Sequence, residues 1–136
     1  MRCFIAVDIE DDNVRNKLFN IAKNFDILGV KIVEYENLHV TIKFLGEINE
    51  KIVEEIIGAL SKISFKKFMI HVAELGAFPS LRNPRVIWAG IKEVMKIFEQ
   101  FSSEDFGKFY VTHFSLKNSQ LTPRGPIYTN IKVFQL

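Results

Sequence analysis

A chain of 136 residues with 48% hydrophobic and 25% charged side chains has the balance of one compact globular domain, and residues 1–136 read as a single unit. A net charge of +2 excludes bulk attraction to nucleic acid, so any phosphate contact must come from a local cluster. The single cysteine, Cys3, excludes an intramolecular disulfide and fits a buried thiol in a reducing compartment. No apolar run is long enough to span a bilayer, and the opening stretch is broken by Asp8 too soon for an export signal. The expectation is a cytoplasmic protein with no membrane partner.

Cys3 to Ile9 reads as a buried first strand. Glu10, Asp11 and Asp12 suit a helix N-terminus, and Val14, Leu18, Ile21, Ala22 and Phe25 predict a helix over 12–25, broken by Gly29. Val30 to Tyr35 reads as a second strand. Asn37 to Gly46 follows with strict alternation: Leu38, Val40, Ile42 and Phe44 point to the core, while His39, Thr41 and Lys43 point the other way. An imidazole, a hydroxyl and an ammonium in a row supply a proton carrier, a hydrogen-bond donor and a positive charge for a phosphate. The alternation by itself fits a solvent-facing strand as well.

Asn49 is placed to cap a second helix whose core face is Ile52, Ile56, Ala59, Leu60 and Ile63. Phe68 to Leu75 is a strand, residues 76–84 a loop by their Gly and Pro content, and Val86 to Ile91 a strand. Val94, Ile97, Phe98 and Phe101 predict a short third helix. Phe109 to Leu116 is a strand, Thr122 to Pro126 a turn and Ile127 to Leu136 the last strand. Phe109 and Val111 share one phase, and Phe114 and Leu116 the other. Either both faces are buried there or a bulge sits near Thr112-His113. His113, Ser115 and Lys117 repeat the earlier imidazole, hydroxyl and ammonium. His71 has Ala73 two residues on, with no hydroxyl, and reads as structural or exposed. The three histidines lack close ligand spacing, so no metal site is expected. Short turns between neighbouring strands predict an α+β fold with a mixed or antiparallel sheet and helices on the outside.

Four stretches carry a family resemblance: Arg2 to Val7, Glu36 to Gly46, Gly76 to Pro79 with Pro84 to Gly90, and Ser119 to Tyr128. In this order they resemble the two-histidine phosphoesterases, and within them the RNA 2′,3′-cyclic phosphodiesterases, also called 2′-5′ RNA ligases. The resemblance implies a bilobal fold with a groove and one His-x-Thr/Ser motif per lobe. This chain is several tens of residues shorter than that pattern between Trp88 and Asp105, where the second motif belongs, so a reduced second lobe is expected. Asp105-Phe106-Gly107, Phe109, Val111, Phe114, Leu116 and Ser119 align with the strand before the C-terminal signature. His113-Phe114-Ser115-Leu116 is then either a replacement second motif or an ordinary strand.

The implied substrate is RNA with a 2′,3′-cyclic phosphate end, or a cyclic nucleotide, hydrolysed to a 2′-phosphate; the reverse chemistry gives 2′-5′ ligation. The implied catalytic residues are His39, Thr41, His113 and Ser115. Lys43, Lys117 and Arg124 are expected to hold phosphate or RNA backbone, and Phe4 to stack on a base or simply fill the core. No metal, ATP or other cofactor is implied. Two further readings stand beside this one. One is an RNA- or nucleotide-binding homologue impaired in catalysis. The other is a homo-oligomer formed through a sheet edge that the missing strand exposes.

Overall fold

In the computed structural model, residues 1–27, 29–92 and 100–136 are described, with side chains from Glu104 onward in the last segment. The elements in chain order are β1 (Arg2–Asp8), α1 (Asp12–Ala22), β2 (His39–Glu47), α2 (Glu50–Leu60), β3 (Phe68–Phe78), β4 (Val86–Ile91), β5 (Gln100–Val111), β6 (His113–Thr122) and β7 (Gly125–Gln135). They form two sheets, one of four strands in the order β2-β1-β6-β7 and one of three in the order β4-β3-β5. The chain divides into two compact units, Met1–Ile9 with Glu36–Phe68 and Val111–Leu136, and Glu10–Tyr35 with Met69–Tyr110.

In the first unit β1 is an inner strand, antiparallel to both neighbours. It is buried from Cys3 to Val7, which is why it reads as an unbroken apolar run. Leu116 on β6 is fully buried, and Phe114 stacks on Phe134 at 4.9 Å between ring centroids. Asn49 caps α2 as expected, its side chain accepting from the Lys51 N–H at 2.9 Å. The helix buries a different stripe from the one expected. Val53 and Leu60 are buried with Ile56 and Ile57 half-buried, while Ile52, Ala59 and Ile63 face solvent. Aliphatic residues surround this helix on most sides, so the sequence offers two overlapping apolar stripes and periodicity alone does not choose between them.

In the second unit α1 ends in a 3-10 turn, Lys23–Phe25, so the helical stretch matches the expected 12–25. Asp11 caps it, its carboxylate accepting from the Val14 N–H at 2.9 Å. The expected strand over Val30 to Tyr35 is absent. Residues 30–34 are irregular, with Val30 and Val33 exposed. Tyr35 is held by side chains instead, edge-on to Phe19 and beneath the Arg15 guanidinium, 4.6 Å from its ring centroid. β3 runs on to Phe78, shortening the expected loop, with a bulge at Glu74, whose φ is 70°. Val94, Ile97 and Phe98 of the expected third helix lie outside the described residues, and Phe101 lies in β5. The single strand expected over Phe109 to Leu116 is two, β5 and β6, in different sheets and broken at Thr112. That break accounts for the phase change on either side of Thr112-His113.

Candidate active site on the four-stranded sheet

The register between β1 and β2 decides what faces His39. Asp8 is paired with His39 and Ala6 with Thr41, but Ile5 is paired with Lys43, Phe4 with Phe44 and Cys3 with Gly46. Ile42 and Leu45 therefore have no partner, and each is a bulge that shifts the side-chain phase by one. Paired residues of an antiparallel ladder share a face. Lys43 therefore lies on the face of Ile5, away from His39, contrary to the expected row. Phe44 takes its place beside Phe4, with ring centroids 6.0 Å apart. Phe44 is 71% exposed and Ile42 is exposed too, so the second half of the expected core face is not core.

The other strands continue the His39 face. On β6, Ser115 is paired with Ala6 and Lys117 with Phe4; on β7, Asn130 is paired with Lys117 and Tyr128 with Ser119. His113, two residues before Ser115, shares their phase, and one of its ring nitrogens lies within 4.8 Å of an Asp8 carboxylate oxygen. The two histidine motifs thus stand on one face of one sheet with β1 between them, roughly 10 Å apart at the backbone. They do not stand on separate sheets, as the one-per-lobe pattern implies.

His39 is half-buried and held at both ring nitrogens. Nδ1 is 2.7 Å from the Asn37 carbonyl oxygen, and Nε2 is 2.9 Å from Thr41 Oγ1. A carbonyl only accepts, so Nδ1 carries the proton, and the neutral ring presents its lone pair at Nε2. Phe4 and Tyr128 wall the ring at 5.2 and 5.4 Å between centroids. Burial lowers the His39 pKa from its ordinary value, the Lys117 charge lowers it further, and the Asn37 carbonyl and Asp8 pull it back in part. The ring is therefore neutral at neutral pH, the state a general base needs.

Lys117 is only 7% exposed, which excludes a solvated surface role. Its ammonium donates to Asp8 Oδ1 and Asn130 Oδ1, both at 2.8 Å. Ser115 is fully buried, and its hydroxyl has no hydrogen-bond partner among the described residues. His113 is half-buried with Nδ1 3.0 Å from Thr112 Oγ1. Arg124 is exposed in the β6–β7 turn, at the far end of β6 from His113 and roughly 30 Å along the strand. Phe4 is buried at 2% exposure and packs as core against His39, Phe44 and Tyr128. His71 is structural, its Nε2 2.8 Å from Asp105 Oδ1, which also accepts from the Gly107 N–H. Asp8, Asn130 and Tyr128 are the site residues that sequence reasoning missed. The phase of Asp8 is not marked along β1, because Phe4 and Ala6 on its face are as apolar as Cys3, Ile5 and Val7 on the other.

A sheet-rich α+β fold with an anchored His-x-Thr strand is the class these observations define. A model of the family described as LigT like Phosphoesterase matches residues 7–88. Among curated relatives, the RNA 2′,3′-cyclic phosphodiesterase of Archaeoglobus fulgidus is 37% identical over 177 aligned positions, covering 99% of this chain and 100% of the relative. The protein of the same name from Methanocaldococcus jannaschii is 31% identical, covering 97% and 99%. Among solved structures, a Thermus thermophilus protein superposes with a TM-score of 0.82 at 25% identity, covering 100% and 98% of the two chains. Escherichia coli LigT, solved with NADP+, has the same fold at a TM-score of 0.80 and 21% identity, covering 99% and 97%. This chain belongs to the LigT-like phosphoesterase family. Because 136 residues cannot fill 177 positions, the alignment with the Archaeoglobus relative opens gaps of several tens of positions in this chain.

Proposed function

We propose that this chain is an RNA 2′,3′-cyclic phosphodiesterase that opens cyclic phosphate ends to 2′-phosphates, the activity named for relatives that align over nearly its whole length. The observation that carries the reading is the held state of His39, with its proton on Nδ1 and its lone pair at Nε2 beside Thr41. In the resting site Thr41 donates to Nε2. When a cyclic phosphate arrives, Thr41 donates to a non-bridging oxygen instead, and Nε2 is released to take a proton from water. The water oxygen forms a bond to phosphorus as the bond from phosphorus to O3′ breaks. O3′ takes its proton from His113 as imidazolium, and Lys117 adds positive charge to the same face.

The gaps in the alignment and the placement of β6 beside β1 favour a second reading: an RNA- or nucleotide-binding homologue without the family's second motif. Hydrolysis of nucleoside 2′,3′-cyclic phosphates by wild type, His39→Ala and His113→Ala separates the two. The enzyme reading expects each variant to lose about 10²- to 10⁴-fold in kcat/KM. Full activity in His113→Ala removes the pairing, and binding without turnover in wild type leaves the second reading.

A further inference from the structure

The face that carries His39 continues along β1 beyond the phosphate position. Ala6, Phe4 and Arg2 succeed one another on that face, and Phe4 meets Tyr128 at 5.1 Å and Phe44 at 6.0 Å between ring centroids. At the Arg2 end lies an open cavity of about 340 Å³, lined by Arg2, Asn118, Ser119, Gln120 and Glu47 among others. Its size is within the roughly 300–1,000 Å³ usual for small-ligand sites. Polar Asn118, Ser119 and Gln120 line it with Arg2 and with Met1, whose terminal ammonium is 3.4 Å from the Glu47 carboxylate. Ser119 of the cavity lining is paired with Tyr128 on β7, which sets the strand position of that ring beside the cavity. Arg2 and Ala6 are four residues apart on the strand, roughly 13 Å, a span of one or two nucleotides of an extended chain.

We propose that this cavity is a subsite for the internucleotide phosphate upstream of the cyclic end, with Arg2 as its cation and the exposed ring of Phe44 and the half-buried ring of Tyr128 under the base between. The inference rests on the phosphodiesterase reading and adds that the chain acts on oligonucleotide ends in preference to cyclic mononucleotides. A guanidinium forks onto a phosphate with two parallel hydrogen bonds, and stacking on aromatic rings tolerates any base. A mononucleotide offers nothing for Arg2 to hold.

The test compares adenosine 2′,3′-cyclic phosphate with the adenylyl dinucleotide bearing the same cyclic end, by Kd and by kcat/KM. Wild type favours the dinucleotide about five- to tenfold, the worth of one partly screened charged contact. Arg2→Gln removes that preference, and Glu47→Gln, which deletes the opposing carboxylate, strengthens it. No preference in wild type, or a loss in Arg2→Gln that falls equally on both ligands, overturns the subsite. If neither compound is turned over, the activity reading falls by itself, and the subsite is judged on Kd: equal affinities for the two ligands overturn it.

Discussion

Replacing Lys117 by methionine separates the stem of this side chain from its charge. Methionine keeps most of the buried volume, but Asp8 and Asn130 each lose a donor that now stands at 2.8 Å. Breaking a fully buried ion pair by removing one partner costs about 3–5 kcal/mol. The Asp8 side chain keeps 23% exposure, so water recovers part of that, and the expected loss is about 2–4 kcal/mol. The same change acts on His39. Lys117 is one cause of its lowered pKa and Asp8 opposes it, so deleting the ammonium removes a lowering influence and leaves the raising one unmatched. The His39 pKa then rises toward its ordinary value, a smaller fraction of the ring is neutral in mild acid, and the acidic limb of kcat/KM moves to higher pH. Urea midpoints give the first quantity, and imidazole NMR titration with the pH–rate profile gives the second. Adding Asp8→Asn to Lys117→Met recovers part of the stability, because neither charge is then stranded. A stability loss below about 1 kcal/mol with an unmoved acidic limb would refute the reasoning.

The bulge at Ile42 predicts that Phe44→Ala weakens RNA binding by about 1–3 kcal/mol for the stacked base with little change in stability, whereas Lys43→Ala changes binding far less. Affinities of the two variants for a short RNA check this, and a larger effect at Lys43 contradicts the register. Because the folded pKa of His39 lies below its unfolded value, the unfolded chain binds more protons across that window; stability therefore falls as pH drops below about 6.5. His39→Gln flattens that part of the curve, as urea midpoints between neutral and mildly acidic pH would show. Gly107 has a φ of 97°, and a Cβ there would meet Val14 Cγ2 at 3.5 Å, so Gly107→Ala costs about 1–2 kcal/mol through backbone strain more than crowding, read from thermal unfolding.

Much of this architecture was legible in local chemistry. β1 showed itself by an unbroken apolar run, α1 by acidic residues ahead of a helical stripe, and α2 by Asn49. The strand that failed, Val30 to Tyr35, had the right residue types but finds no sheet neighbour; a strand is defined by its partners, and none of them is written in the segment itself. The face of α2 failed for the opposite reason, because too many aliphatic positions fit.

The site was legible at His39 and Thr41 and illegible two residues later. A bulge adds one residue between paired positions, and nothing in the side chains of Ile42 or Leu45 announces it. Both are apolar residues on an edge strand, where an irregular ladder breaks few hydrogen bonds. From that point the phase inverts, so Phe44 leaves the core and Lys43 turns away from the His39 face, against the plain alternation. The β6 face suffered no such slip against β1, since its four paired positions are continuous, and His113, Ser115 and Lys117 do share a phase. What the sequence could not supply there was depth. Lys117 reads as a surface cation until Asp8 and Asn130, from two flanking strands, converge on its ammonium and make burial tolerable. Burial is the main reason the His39 ring stays neutral, and the Lys117 charge adds to it, favouring the state a base needs. The first motif is therefore tuned in part by a residue 78 positions away that no periodicity connects to it.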